Sequence, residues 1–425
     1  MTSGSDRDGQ VRRIAIISLH TSPLDQPGTG DGGGLNVYVL EVARRLAARG
    51  VEVDVFTRAT QPGQPPVLQV AERFAVHHIE AGPRTRLPKE TLANHLCAFL
   101  LALEGHVAEH APGRLYDVVH THYWLSGWVG RQLRRRWRTP LVHSFHTLAR
   151  VKNAALAPGD EPEPVVRLLA EERLVEDADR ILVSVCGEAR LLHRTYGISG
   201  ARLAVVAPGV DLDIFHPGQA PNPSDAPPGS GPLLLFVGRL QPLKSPEVAV
   251  RALAYVRREV PDARLLVVGG VSGSSAGSCG PDELRALALE LGVGDGVAVA
   301  AARPQRELAD LYRASTVVLV PSRSESFGLV ALEAQACATP VVAAEVGGLP
   351  AVVGGGGGTL VAGHDPADYA AAILDYLRDS ARYTRARTSA LQAASRATWD
   401  VTVEGLLAVY EDVVRSQASA AGVSA

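Results

Sequence analysis

Apolar residues along this chain gather in short unbroken runs, and between the runs they return every third or fourth position. The first run, Arg13–His20, leads into a glycine-rich loop and then a helical stretch from about Leu35 to Arg49, which Gly50 ends. Val51–Thr57, Asp117–His122, Pro140–His146 and Arg180–Val185 are further strand-like runs with helical segments between them, and Val205–Gly209 closes this half. Runs of β-branched residues without polar alternation suit parallel strands buried on both faces.

The pattern breaks at Pro217–Pro232, a Pro, Gly, Ser and Ala stretch with almost no apolar anchor, which reads as a linker. Alternation restarts at Leu233–Leu240 and continues through Arg264–Gly269, Val297–Ala300, Val317–Pro321 and Pro340–Ala344. Two such βαβα series predict an α/β protein with two doubly wound parallel-sheet domains. The expected division is a disordered tail over 1–11, a first domain over 12–216, a linker over 217–232, a second domain over 233–398, and a closing segment over 399–425 with a long helix near 401–417. The glycine run Gly354–Gly358 reads as a flexible loop rather than a ligand contact.

Composition narrows the class. The chain has 425 residues, of which 46% are apolar and 20% charged, so it can bury sizeable cores. Its net charge of −3 comes without any long block of one sign, which argues against nucleic acid as a partner. The N-terminus lacks an apolar targeting segment, and no apolar stretch approaches the roughly 18 residues of a membrane span. A cytoplasmic protein without a membrane partner is expected. Its four cysteines lie far apart without zinc spacing and read as reduced thiols. Lys89, Lys152 and Lys244 are the only lysines among 42 basic residues, so each is singled out, because a compact ammonium fits where a guanidinium fork does not.

Gly28–Gly33 matches G-x-G-x-x-G, but Gly28 lies eight positions beyond the strand end near His20, and Asp54 sits inside its strand. A dinucleotide fold needs those glycines at the strand-to-helix turn. A loop ending in Asp31–Asn36 at a helix N-terminus suits a phosphate or a sugar hydroxyl instead, with a plain tight loop as the bland alternative. Arg239 and Lys244 follow the carboxyl end of the strand at Leu233–Leu240, where open α/β sheets bind ligands, and two such cations can clamp a diphosphate. Glu325 and Glu333 are eight residues apart, which on one helix face is about 12 Å, too far for a hydrolase pair. His120, His122, His143 and His146 offer no firm zinc spacing and read as hydrogen-bonding groups facing a cleft, with core burial the alternative for His120 and His143.

His20–Tyr38, His122–Gly127, Gly238–Lys244 and Glu325–Glu333 together resemble the retaining glycosyltransferase family 4, over about residues 12 to 415. The resemblance implies a GT-B fold of two Rossmann-like domains facing across a cleft. Within the family it points to the branch that transfers N-acetylglucosamine from UDP-GlcNAc to 1D-myo-inositol 3-phosphate in mycothiol biosynthesis. It implies a donor site of Gln26, Pro27, Gly34, Arg239, Lys244, Arg303, Glu325 and Glu333, with Arg239, Lys244, Glu325 and His146 serving the chemistry. The implied acceptor site is His20, Asp31, Gly32, Gly33, Gly34, Leu35, Asn36, Lys89, Tyr123, Thr147 and Arg167. No cofactor for the chemistry is implied; a non-catalytic magnesium near Tyr312, Arg313, Ser315 and Thr339 and a homodimer are. Gly82–Pro88, Val183–Glu188, Arg323–Ser324 and Gly354–Gly358 depart from the family pattern, so a paralogue acting on an aminocyclitol or thiol, or with another UDP- or GDP-sugar, stays open. A catalytically silent sugar-nucleotide-binding protein is the alternative from another class.

Overall fold

The computed structural model describes residues 10–423 except 90, 111–112, 114–115, 155, 157–160, 221 and 272–278. The expected tail thus lies outside the described residues except for its last two, and one of those, Val11, is buried in the first core.

Eight strands form the first sheet: β1 (Arg13–Ile17), β2 (Glu52–Arg58), β3 (Val67–Ala71), β4 (Phe74–Ile79), β5 (Val118–His122), β6 (Leu141–Ser144), β7 (Arg180–Val183) and β8 (Leu203–Val205). Their order is β3-β4-β2-β1-β5-β6-β7-β8, parallel throughout except for the β3–β4 pair. Six strands form the second: β9 (Leu233–Val237), β10 (Arg264–Val268), β11 (Val297–Ala300), β12 (Val317–Val320), β13 (Val341–Ala344) and β14 (Gly358–Val361). All its pairings are parallel, in the order β11-β10-β9-β12-β13-β14. Each sheet is buried on both faces by helices, with Ile17 and Val119 on one side of the first sheet and Ile16 and Val118 on the other. That double burial explains the unbroken apolar runs.

The strand order decides where ligands can sit. From β1 the chain moves outward to β2 and β4, then returns to lay β5 on β1's other flank; in the second sheet β10 and β12 flank β9 in the same way. At such a switch point the connecting loops leave in opposite directions and open a crevice at the carboxyl ends. His20 follows β1, Tyr123 follows β5, Arg239 follows β9 and Glu325 follows β12.

Three strands escaped the sequence pattern. β4 reads Phe-Ala-Val-His-His-Ile, and its histidines disguise a fully buried strand. His77 is accommodated because Nε2 pairs with Asp54 at 2.9 Å and Nδ1 with His106 at 2.9 Å, so Asp54 serves structure. β14 begins at Gly358, the last residue of the glycine run, whose first three glycines are exposed. A Cβ on Gly358 would lie 2.2 Å from the Val341 carbonyl oxygen, so glycine there permits close strand approach. The described part of the Pro-rich stretch is also tied down, since the Arg264 guanidinium donates to the carbonyls of Pro227 and Gly231 and to Asn222 Oδ1.

The final helix, Trp399–Val423, returns to the first sheet. Trp399, Val403, Leu406, Tyr410 and Val413 recur at helical spacing and share a core with helix Gly34–Ala48. Tyr410 Oη lies 2.7 Å from His120 Nδ1, whose Nε2 meets Ser144 Oγ at 3.0 Å. His143 Nδ1 pairs with Thr121 Oγ1 at 2.7 Å. His120 and His143 are therefore core residues, not groups facing a cleft. Tyr410→Phe leaves His120 without one partner in a site closed to water, which should cost about 1–3 kcal/mol. A lower urea midpoint is the expected result; an unchanged midpoint would mean that His120 finds another partner.

Candidate active site

The two switch points face each other across one cleft, whose lining includes residues of both sheets' loops. On the first wall, Pro27, Asp31, Gly33, Gly34 and Leu35 line the cleft. Asn36 and Gly32 do not line it and build the loop behind it. Asn36 Oδ1 accepts from the Gly33 N–H at 2.9 Å, its Nδ2 donates to Thr21 Oγ1 at 2.7 Å, and the Gly32 N–H donates to the Thr29 carbonyl. Gln26 bridges the two walls instead, donating from Nε2 to the Arg303 carbonyl at 2.9 Å. The Gly270 N–H donates to the Gly28 carbonyl beside it, and the side chain of Arg303 pairs with Asp225.

His20 packs tilted against Tyr123 at 4.6 Å between ring centres, and its Nδ1 is buried with no hydrogen-bond partner among the described residues. Burial first, then the charges of His146, Lys89, Arg167 and Arg239, push its pKa down to about 3. Burial likewise lowers His146 to about 4, so both rings are neutral near pH 7 and act through hydrogen bonds. His146 shares a 2.8 Å hydrogen bond with His122, and its carbonyl accepts from Ser326 Oγ of the opposite wall. Tyr123 (φ 71°) and His146 (φ 58°) both hold the left-handed conformation that side-chain-bearing residues avoid, and both line the cleft.

Lys89, Lys152 and Arg167 form one set of interacting cations in the cleft. Arg167 is fully buried, donating to Tyr123 Oη at 3.2 Å, Thr147 Oγ1 at 3.0 Å and the Thr147 carbonyl at 2.8 Å. Lys89 and Lys152 line the same space. On the loops after β9 and β12, Lys244 Nζ donates to Glu325, and Arg239, whose pKa burial lowers, is countered by the charges of Asp31 and Glu325. The loops after β9 and β12 are joined by the Arg323 N–H to Leu243 carbonyl bond at 2.9 Å.

Glu325 and Glu333 do not share a helix face. The helix runs only from Leu329 to Ala336, and Glu325 belongs to the preceding loop. A turn from distant sequence fixes that loop: the Gly348 N–H donates to the Glu325 carbonyl at 2.9 Å. Gly347 adopts φ 56°, and a Cβ there would lie 1.8 Å from that same oxygen. Glu333 is buried, accepts from Tyr312 Oη at 2.9 Å, and is raised by burial to about 7.

The residues implied for magnesium fit one another better than an ion. The Tyr312 carbonyl already accepts from the Ser315 N–H at 3.1 Å and from Thr339 Oγ1 at 2.7 Å, and Ser315 Oγ donates to Leu311. The Arg313 guanidinium adds a positive charge nearby, which disfavours a hard cation. No step below is routed through a metal.

Sequence reasoning had not placed Lys152, Glu163, Glu171, Ser326 or the Gly347–Gly348 turn at the site. The scarcity of lysine was the available signal for Lys152, since all three lysines line this cleft. The others had none, because their roles depend on partners from separate segments.

Two facing parallel-sheet domains with ligand groups at both switch points define a glycosyltransferase of the GT-B class. A family model described as Glycosyl transferases group 1 matches residues 222–393, and one described as Glycosyl transferase 4-like domain matches residues 33–209. The D-inositol 3-phosphate glycosyltransferase of Thermomonospora curvata is 52% identical, covering 97% of this chain and 98% of its own. That of Mycolicibacterium paratuberculosis is 49% identical, covering 96% and 92%. Sucrose-phosphate synthase from Thermosynechococcus elongatus superposes with a TM-score of 0.84 at 32% identity, over 95% of this chain and all of that one. The chain belongs to the D-inositol 3-phosphate glycosyltransferase family. No helix among the described residues is long and apolar enough to cross a membrane.

Glu333 also makes stability depend on pH. An unfolded glutamate releases its proton near the ordinary value of 4.5, whereas the folded one keeps it to about 7. Folded protein therefore holds the extra proton between these values, and Glu333 weakens the fold as pH rises through them. Glu333→Gln should gain thermal stability relative to the parent on going from pH 5 to pH 8. An equal difference at both pH values would place Glu333 in the charged form throughout.

Proposed function

We propose that this chain moves N-acetylglucosamine from UDP-N-acetylglucosamine to the 1-hydroxyl of 1D-myo-inositol 3-phosphate with retention at the anomeric carbon. UDP is released, the step opens mycothiol biosynthesis, and the enzyme works in the cytoplasm as a homodimer. The observation that carries this reading is that the chain's three lysines all line one cleft, Lys244 paired with the Glu325 that also faces Arg239, and Lys89 and Lys152 facing Arg167. Two sets of cations match a diphosphate and a phosphate monoester in one ternary complex. The names of the relatives supply the inositol phosphate.

In this reading residues 12–216 hold the acceptor and residues 233–398 the donor. Arg239 and Lys244 take the diphosphate, and Glu325, freed from Lys244, accepts from hydroxyls of the sugar. Glu333, protonated or sharing the Tyr312 proton, meets the ribose. Pro27, Gly34, Gln26 and Arg303 border the nucleotide. Neutral His146 holds the sugar's 6-hydroxyl, fixed by its strained backbone and by Ser326. Asp31, Gly33 and Leu35 face the inositol ring, while Lys89, Tyr123, Thr147 and Arg167 surround its phosphate.

The bond between the anomeric carbon and the diphosphate oxygen breaks, and UDP departs with the electron pair. The inositol 1-oxygen attacks from the same face and passes its proton to the departing phosphate oxygen. Catalysis rests on charge placed in advance at the leaving group and on holding the two substrates together. The bridges Gln26 to Arg303, Gly270 to Gly28 and Ser326 to His146 close the cleft against water, the competing acceptor.

UDP release and product mass with inositol 3-phosphate test the reading; donor binding without turnover would point to another acceptor, such as an aminocyclitol or a thiol. Lys244→Ala should lower kcat by about 10²–10³-fold with little change in the acceptor KM, as expected for a group that meets developing charge. Unchanged turnover would remove Lys244 from the mechanism. Lys89→Ala should raise KM for inositol 3-phosphate about tenfold, and much less for plain inositol, since it removes one charge-assisted contact. Equal effects on both acceptors would put the phosphate elsewhere. Arg167→Ala is the poorer test, because it strands the wholly buried Glu171 without its cation.

A further inference from the structure

The set of cations around Arg167 already contains an anion. Glu163 Oε2 lies 2.8 Å from Arg167 Nη1, and its Oε1 pairs with Lys152 Nζ. We propose that Glu163 is a resident counter-ion of the acceptor-phosphate pocket, displaced when a phosphate monoester enters, and that Lys152 is thereby a further residue selecting a dianionic acceptor. The inference rests on the acceptor reading above.

The two carboxylates around Arg167 differ in kind. Glu171 is wholly buried, accepts from Arg167 Nε at 2.7 Å and takes the Ala149 N–H on both oxygens, at 2.9 and 3.2 Å. It anchors the guanidinium from behind and cannot leave. Glu163 precedes the helix Val165–Asp177, its N–H donates to Asn153 Oδ1 at 2.7 Å, and its side chain keeps a solvent-exposed edge. It takes the Arg167 nitrogen that also reaches Tyr123 Oη, in the donor set a phosphate would use. The charges of Arg167 and Lys152 outweigh the cost of burial and hold its pKa down to about 2, so it stays an anion.

Charge balance gives the reason for displacement. Lys89, Lys152 and Arg167 against Glu163 and Glu171 leave one positive charge, too few for a phosphate monoester that carries about −1.5 to −2 at pH 7. With Glu163 turned outward, two positive charges face the dianion. Without a phosphate, Glu163 keeps the buried Arg167 and the partly exposed Lys152 paired. A neutral acceptor cannot replace it, so the exchange discriminates between phosphorylated and plain inositol.

Titration of the full chain with inorganic phosphate, together with kinetics on inositol 3-phosphate and myo-inositol, tests the proposal. Glu163→Gln should tighten phosphate binding about threefold to tenfold and raise the preference for the phosphorylated acceptor, as removal of one competing charge predicts. Lys152→Ala should weaken phosphate by about tenfold and lower that preference, with partial recovery in Lys152→Arg. Weaker phosphate binding in Glu163→Gln would overturn the proposal and leave Glu163 as a positioning residue for Lys152. Glu163→Asp, too short to span both cations, should shift binding in the same direction as Glu163→Gln and covers a folding failure of the latter. If the parent releases UDP with inositol 3-phosphate while both Glu163 variants leave phosphate affinity unmoved, this inference fails alone. If the parent binds phosphate without turning over inositol 3-phosphate, the functional reading fails instead.

Discussion

The carboxyl ends of a parallel sheet can open a ligand crevice only where neighbouring connections leave in opposite directions, and this constraint shapes the whole molecule. Each sheet has one central switch, between β1 and β5 and between β9 and β12. His20, Tyr123, Arg239 and Glu325 all follow those four strands within a few residues. Facing the two switches across one cleft lets two polar substrates meet while each domain keeps its own double-faced core. The return of helix Trp399–Val423 to the first sheet ties the chain's end to that arrangement through Tyr410 and His120.

A cleft rich in cations poses an electrostatic problem before any substrate arrives. The structure meets it with a carboxylate for each cation cluster: Glu325 on Lys244, Asp31 and Glu325 near Arg239, and Glu163 and Glu171 on Arg167. Glu171 is locked by the Ala149 N–H on both of its oxygens, whereas Glu325 lines the cleft and Glu163 pairs with Lys152 and Arg167, which line it. In the proposed complex, substrate binding is an exchange of counter-ions, which costs less than burying a new charge against unpaired ones. Two neutral histidines, His20 and His146, add polar groups without adding charge, and His146 pairs with His122.

Much of this was legible in residue patterns. Apolar runs such as Arg13–Ile17 and Leu233–Val237 announced strands buried on both faces, and the cations after β9 announced an anion site at a strand end. The scarcity of lysine singled out Lys89, Lys152 and Lys244, all of which line the cleft. Other features were hidden for definite reasons. β4 carries two histidines whose partners, Asp54 and His106 for His77 and the Pro65 carbonyl for His78, come from other segments. The eight-residue spacing suggested that Glu325 and Glu333 share one helix face, yet Gly347 and Gly348 hold Glu325 in a loop.

By itself the sequence determined the two-domain α/β class, the strands of each sheet's centre and the residue types available for phosphate chemistry, because burial on both faces and charge bias leave local traces. Tertiary structure alone decided which polar groups are core and which are site. His120 and His143 went to the core and His146 to the cleft, though all sit on neighbouring strand ends. It also set Glu163 between Lys152 and Arg167, and Asn36 behind its loop rather than facing the cleft. These outcomes turn on which distant segment supplies the partner, and pairwise contacts across the fold leave no mark on local spacing.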